Sequence, residues 1–254
     1  SIMTSFQIIS AIFIGLAAGY VGSFMVLRRM ALVGDALSHV ALPGLAIALL
    51  LNINPFIGAF ATLFIGIVCV WLIENRTELS TESLIGLFFT FSLAVGILIT
   101  PQSELLEALF GDISKISALD SYLAVIFSIA LITIMYGVSR GFILGTISSD
   151  LAKASGVKVS RLNFLFLILV AVIVALGIKA VGTLLMGALV IIPAITSKNI
   201  TSSLRSYTTA SSLIGLISLL GGMIIASRLN LPSGPIIVLA SSGIFLVSLV
   251  FARK

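Results

Sequence analysis

Phe6–Leu27 reads FQIISAIFIGLAAGYVGSFMVL, a run without one charged side chain that ends at Arg28-Arg29. A bilayer core of about 30 Å takes roughly 20 apolar residues in a helix, so this run has the length of one crossing. It is too long for the apolar centre of a signal peptide, and no small-residue cleavage site with a polar mature domain follows it. Eight further apolar segments are legible downstream: Ala31–Leu51, Pro55–Ile73, Ser83–Ile99, Tyr122–Val138, Leu162–Ala180, Thr183–Thr196, Thr208–Ser227 and Gly234–Phe251. The segment starting at Thr183 is short and carries Pro193 near its end, which predicts a broken or re-entrant helix.

Composition agrees. The 254 residues are 59% hydrophobic and 9% charged, with a mean hydropathy of +1.29. Soluble domains run near 45–50% apolar and about 25% charged, and a single soluble core cannot hide the excess. The fold class expected is all-α, one polytopic transmembrane domain over residues 1–254, with about nine membrane helices. The single cysteine, Cys69, excludes a disulfide within the chain and reads as a small apolar residue.

Lys and Arg set the orientation. With the linker Arg140–Arg161 inside, the inner side holds Arg28, Arg29, Arg76, Arg140, Lys153, Lys158, Arg161, Lys198, Arg205, Arg253 and Lys254. Only Lys115, Lys179 and Arg228 of the 14 basic residues fall outside. The N-terminus is expected outside and the C-terminus in the cytoplasm. Pro101–Ser121 reads as an outer connection with a short helix at Glu104–Phe110. Its carboxylates Glu104, Glu107, Asp112 and Asp120 could attract cations or dock a partner, but each taken singly is expected to be solvated, and Lys179 to snorkel to the interface. Arg140–Arg161 carries an N-cap signal at Ser149-Asp150, a short helix over Leu151–Ala154, and a stop at Gly156.

One span carries ionisable groups well inside its limits. In Gly34-Asp35-Ala36-Leu37-Ser38-His39-Val40-Ala41-Leu42-Pro43-Gly44, Asp35 and His39 lie one helical turn apart on one face. His39 sits roughly 13 Å into the membrane if the helix starts near Met30. Pro43 removes a backbone hydrogen bond one turn on, which predicts unwound backbone beside the pair. Groups like these are costly in lipid. Three readings fit: ligands for Zn, Mn or Fe(II), a hydrogen-bonded pair locking two helices, or a proton relay. Met186 could offer a thioether, though packing is the commoner use. The sequence has no G-x-x-x-x-G-K-[ST] loop for ATP, no H-E-x-x-H and no G-x-S-x-G. A membrane enzyme would need more inward-facing groups than one Asp and one His.

Arg28–His39 followed by Leu42-Pro43-Gly44 closely resembles the signature of the ABC-3 family, the permease subunits of zinc, manganese and iron ABC importers. Further stretches resemble the family in the same order. They are Leu106–Ile113 in the outer loop, Asp150–Val157 at the cytoplasmic coupling helix, Val181–Leu185 with Ala188–Ala194 in the seventh span, and Leu231–Pro235 at the last. The family's chains usually begin some residues before the position of Ser1.

The resemblance implies a type II importer fold with nine spans in the cell (plasma) membrane. It implies two copies of the chain forming the pathway, and separate ATP-binding subunits docked on a coupling helix within 148–161, through Asp150, Leu151, Ala152, Lys153 and Gly156. It also implies an extracellular metal-binding delivery protein. Asp35 and His39 would meet the transported Mn, Zn or Fe. Pro43, Gly44 and Pro193 would serve structure or gating. No permanently bound cofactor, enzymatic activity or nucleic-acid partner is expected. Protons would compete for the ligands, so acid would weaken transport. The rival expectation is a proton-coupled secondary transporter using Asp35 and His39.

Overall fold

A computed structural model describes residues 4–100, 108–112 and 116–251, the side chain of Ser149 excepted. Its helices are α1 (Ser5–Leu27), α2 (Ala31–Val40), α3 (Leu42–Leu50), α4 (Pro55–Glu74), α5 (Thr81–Ile99), α6 (Ala118–Ile147), α7 (Ser149–Ala154), α8 (Val159–Val181), α9 (Met186–Ile200), α10 (Leu204–Leu229) and α11 (Ser233–Leu249). The all-α expectation holds among the described residues. Seven stretches are long and apolar enough to cross a membrane, with α2 and α3 together forming one of them, Ala31–Leu50. The helices α9 and α11 are apolar but shorter. Glu104 and Glu107 lie outside the described residues.

Helix α8 is the axis of the bundle. Its most apolar stretch is 78% buried, against 22% for α5 and 28% for α4 and α6. The outer helices present large apolar side chains, among them Leu98, Phe91 and Ile65, with nothing packed over them. A chain of this composition can leave such surface exposed only to lipid. Since lipid does not drive helices together, close packing and interhelical hydrogen bonds must. The α1–α10 pair follows that rule. The Ser211 hydroxyl donates to the Gly19 carbonyl at 2.6 Å and Ser212 to that of Leu16 at 2.7 Å. A Cβ on Gly15 would come within 2.7 Å of the Leu216 Cα, so the two backbones touch there.

Several boundaries move from their sequence positions. Helix α6 is 30 residues long, about 45 Å at 1.5 Å per residue. It therefore outruns a bilayer core and absorbs Arg140 and the residues after it, which the sequence reading placed in a linker. The short helix α7 is capped by Ser148, not by Ser149-Asp150: the Ser148 hydroxyl accepts from the Leu151 N–H. Its stop is where Gly156 was expected. Gly156 takes φ +79°, its N–H donates to the Lys153 carbonyl, and Val157 N–H donates to that of Ala152. That paired closure needs a left-handed residue, which glycine adopts without a Cβ penalty.

The seventh segment also differs. It becomes helical at Met186 rather than Thr183, then runs unbroken through the buried Pro193 to Ile200. The delay has a visible cause. Gly182 sits at φ +84°, and the N–H groups of Thr183 and Leu184 donate to the carbonyls of Ala108 and Leu109. These bonds pin Thr183 and Leu184 in a turn against the outer connection, and the helix starts only beyond it.

The two ends of the bundle differ in chemistry. One gathers the end of α1, the end of α4, the starts of α5 and α8, and the end of α6. There Arg28 bonds Asn163, Trp71 bonds Ser160, and Thr81 bonds Glu74. The other end joins the starts of α4 and α6 to the end of α8. Here two expectations are corrected. Lys179 does not simply snorkel, and Asp120 is not simply solvated: they form an ion pair at 2.7 Å, with side chains 24% and 10% exposed. Asn54 adds a hydrogen bond to Asp120 at 3.2 Å, and Ser117 closes a capping box on it.

Removing one partner strands the other's charge, which costs more than removing both. Lys179→Met is therefore expected to lower stability by about 1–3 kcal/mol, and Lys179→Met with Asp120→Leu by clearly less. Thermal unfolding of the purified chain in one detergent measures both. Equal losses for the single and double variants would show that the pair is not what holds this end together.

Candidate metal site

Asp35 and His39 lie in α2, on the face turned toward the bundle. Helix α2 packs chiefly against α5, α8 and α9, and more lightly against α4 and α1. His39 is 6% exposed, and its Nδ1 is buried with no hydrogen-bond partner. Its ring meets Phe89 of α5 edge-on, centroids 5.1 Å apart and planes at 65°. Asp35 is half-buried against the start of α9. A Cβ on Gly187 would lie 2.6 Å from the Asp35 Cβ and 2.7 Å from its Oδ1. Between them in sequence, the Ser38 hydroxyl reaches the Thr183 carbonyl at 2.5 Å. The Thr183 hydroxyl in turn donates to the Ala108 carbonyl at 3.1 Å. The pair is thus held from three sides: aromatic on one, bare backbone on another, and a hydrogen-bonded tie to the outer connection.

The backbone beside the pair does not unwind as expected. Between α2 and α3 the chain breaks for one residue, Ala41, which keeps right-handed helical angles (φ −71°, ψ −22°). Pro43 falls in the first turn of α3, where its missing N–H costs little. Gly44 works differently from a hinge. Its Cα faces the Gly58 carbonyl of α4 so closely that a Cβ at either glycine would strike the other's backbone. The broken span is therefore clamped to α4 just beyond the site.

An imidazole nitrogen without a hydrogen-bond partner, one helical turn from a carboxylate, has the chemistry of a cation donor set. Carboxylate and imidazole suit Mn, Fe(II) and Zn. Among the described residues no group of three or more His, Cys, Asp or Glu converges, so these residues supply two protein ligands at most from these types at one place. Met186 adds nothing visible to the pair: it is fully buried and its sulfur packs into the Gly177 backbone. Gly187, Ser38, Thr183 and Phe89 were not singled out from the sequence. No signal along the chain pointed to them, because each matters through the residue it meets across an interface.

The coupling segment stands apart from this site. In α7, Asp150, Leu151 and Lys153 are exposed and Ala152 is buried; Gly156 is exposed. Pro193 is buried within α9.

Among the described residues, seven apolar stretches of spanning length and two shorter apolar helices, with Asp35 and His39 in the stretch interrupted at Ala41, make this a polytopic membrane protein. Comparison with known proteins sharpens the class. The chain belongs to the ABC 3 transport family, whose profile matches residues 2–252. It is 34% identical over 251 residues to the manganese import system permease protein ScaB of Streptococcus gordonii, covering 97% of this chain and 90% of that one. To the high-affinity zinc uptake system membrane protein ZnuB of Haemophilus influenzae it is 33% identical over 254 residues, covering 97% and 96%. Among solved structures, PsaBC from Streptococcus pneumoniae in complex with Fab superposes with a TM-score of 0.86 at 30% identity, over 99% of this chain and 93% of that chain.

Proposed function

We propose that this chain is the permease subunit of an ATP-driven importer that carries a divalent transition metal, manganese or zinc, into the cell. The observation that carries the reading is the family match along essentially the whole chain. The relatives named above are a manganese and a zinc permease, and the Asp–His donor set admits both, with Fe(II) as a third. The family is one of ABC transporters, which leaves the proton-coupled alternative without support.

In this reading residues 1–254 form one domain of about nine spans in the plasma membrane, N-terminus outside. The end rich in Arg and Lys faces the cytoplasm, as the positive-inside rule requires. Helix α7 is the coupling helix within 148–161. Its support is an apolar side chain, Leu151, that stands 57% exposed among the polar residues Asp150 and Lys153 on a helix of 6 residues. ATP is bound and hydrolysed by separate subunits docked there. Two copies of the chain line the pathway, and a metal-binding protein delivers the ion from outside. Asp35 and His39 meet the ion, and water or the second copy completes the coordination. Pro43, Gly44 and Pro193 shape the helices that carry and face the site.

The test is metal accumulation. The chain is expressed with its ATPase and delivery partners in metal-starved cells, and cell-associated Mn, Zn and Fe are measured by mass spectrometry. A rise in one metal that disappears with Leu151→Asp, at equal membrane expression, is the expected result. No rise in any metal from an assembled complex would remove the substrate assignment.

A further inference from the structure

Arg28 has a partner set that its sequence position does not announce. It follows the last residue of α1 and precedes the corner into α2, the helix of the metal pair. Its guanidinium lies over two rings, Phe142 of α6 at 5.4 Å and Phe166 of α8 at 5.1 Å. It also donates to the Asn163 side-chain oxygen of α8 at 2.5 Å. Both rings are among the largest fully buried side chains of the protein, and they meet each other tilted at 57°, centroids 5.2 Å apart. Its neighbour Arg29 holds a positive φ of 59°, so the corner has a specific shape.

Helices α6 and α8 are the two elements that flank α7 in the chain. Phe142 stands in the last turns of α6, just before the Ser148 cap of α7. Asn163 and Phe166 stand in the opening turns of α8, just after the Gly156 closure. Any displacement of α7 must pass into these two helix ends, because the closures on either side of α7 are short and hydrogen-bonded. Arg28, at the corner into α2, touches both of these helix ends.

Cation–ring contacts are strongest where water is excluded. A guanidinium offers flat faces to two rings while keeping an edge for a planar acceptor, which a lysine ammonium cannot do. Burial works against the charged guanidinium, but the Glu74 carboxylate favours it. One of its nitrogens, Nη1, is buried without a partner. The site thus keeps a charge at some cost, which a purely structural plug of apolar packing would avoid.

We infer that Arg28 is a positioning residue that transmits movement of the coupling helix α7 to α2, through Phe142 on one side and Phe166 with Asn163 on the other. The inference rests on the proposed role of α7 as the ATPase dock. Arg28 itself does not touch the ion. It sets where α2 begins, and with it where Asp35 and His39 stand.

The experiment uses the complete complex, permease with ATPase and delivery protein, in liposomes. ATP hydrolysis and uptake of Mn2+ or Zn2+ are measured on the same sample for the native chain, Arg28→Lys, Phe142→Leu and Phe166→Leu. Expected for Arg28→Lys and Phe142→Leu is hydrolysis within about twofold of native and uptake at least tenfold lower, so that ATP spent per ion rises. An unchanged ratio, whether both rates hold or fall together, overturns the inference. If Arg28→Lys does not assemble, the two leucine variants decide, since they remove the ring faces and leave the cation.

A second readout needs no transport. In a Cys69→Ser background, Leu32→Cys on the exposed face of α2 is labelled with and without ATP and vanadate. Native Arg28 should give a nucleotide-dependent change in labelling rate, and Arg28→Lys should abolish it. The same change in both overturns the inference. A native complex that shows this change and imports neither metal removes the proposed substrate, while leaving the role of Arg28 standing.

Discussion

Replacing His39 with leucine is expected to abolish metal uptake while leaving the protein at least as stable as before. The imidazole is 6% exposed and its Nδ1 has no partner. A buried polar group left unpaired costs about 1–3 kcal/mol, so a leucine of similar bulk against Phe89 relieves that cost. A histidine that locked helices would behave oppositely, since its loss would lower the unfolding temperature. For transport, the loss of a protein ligand should exceed the loss of an outer-shell group, which alone costs about 10–100-fold. Uptake should therefore fall on the order of a hundredfold or more. Asp35→Asn should do the same, because it keeps the shape and removes the charge. Uptake by mass spectrometry and thermal unfolding of the same preparations decide the matter. Normal uptake by either variant, or a large drop in unfolding temperature with His39→Leu, would return the pair to a structural role.

The second large effect is expected from a single methyl group. Gly187→Ala places a Cβ 2.6 Å from the Asp35 Cβ, 2.7 Å from Oδ1 and 2.9 Å from Cα. Since the Cα is backbone, no rotamer change relieves the contact. The helices α2 and α9 must part by a fraction of an ångström to about 1 Å. Reacting groups displaced by about 1 Å lose about a hundredfold in rate, and a two-ligand site has little else to hold the ion. Uptake should drop tenfold to a hundredfold with assembly intact. The matched control is Gly221→Ala in α10, where an added Cβ meets nothing. There alanine should raise stability by roughly 0.5–1 kcal/mol, the helix preference of alanine over glycine, and leave uptake unchanged. Equal uptake by the two variants would mean that the Asp35–Gly187 contact is not where the ion is handled.

These expectations separate two kinds of information. Asp35 and His39 were legible because lipid makes any ionisable group within a span conspicuous, and their four-residue spacing put them on one face. The short helix before Gly156 was legible because a left-handed stop needs glycine. Gly187 was not legible. Its meaning lies in the residue across the interface, and a glycine in a sequence carries no address for its neighbour. The same holds for Lys179 and Asp120, which are remote in the chain and read singly as a snorkelling lysine and a solvated acid. Helix α9 was misplaced at its start for a related reason: bonds to Ala108 and Leu109 pin Thr183 and Leu184 in a turn before it, a contact between distant segments that periodicity does not record.

By itself, the sequence determined the solvent, the fold class, the approximate place of each apolar helix, the basic end, and the one span that carries an Asp and a His on one face. Each follows from a local property: hydropathy over one helix length, charge in a loop, or spacing along one helix. Tertiary structure alone decided what surrounds those residues. It set Gly187 against Asp35, Phe89 against His39 and Arg28 between two rings, and it chose a one-residue break rather than an unwound segment at Ala41. The physical reason is that helices in lipid gain little from burying apolar surface. Their arrangement depends on a few close backbone approaches and hydrogen bonds between residues far apart in the chain, and those pairings exist only once the helices have met.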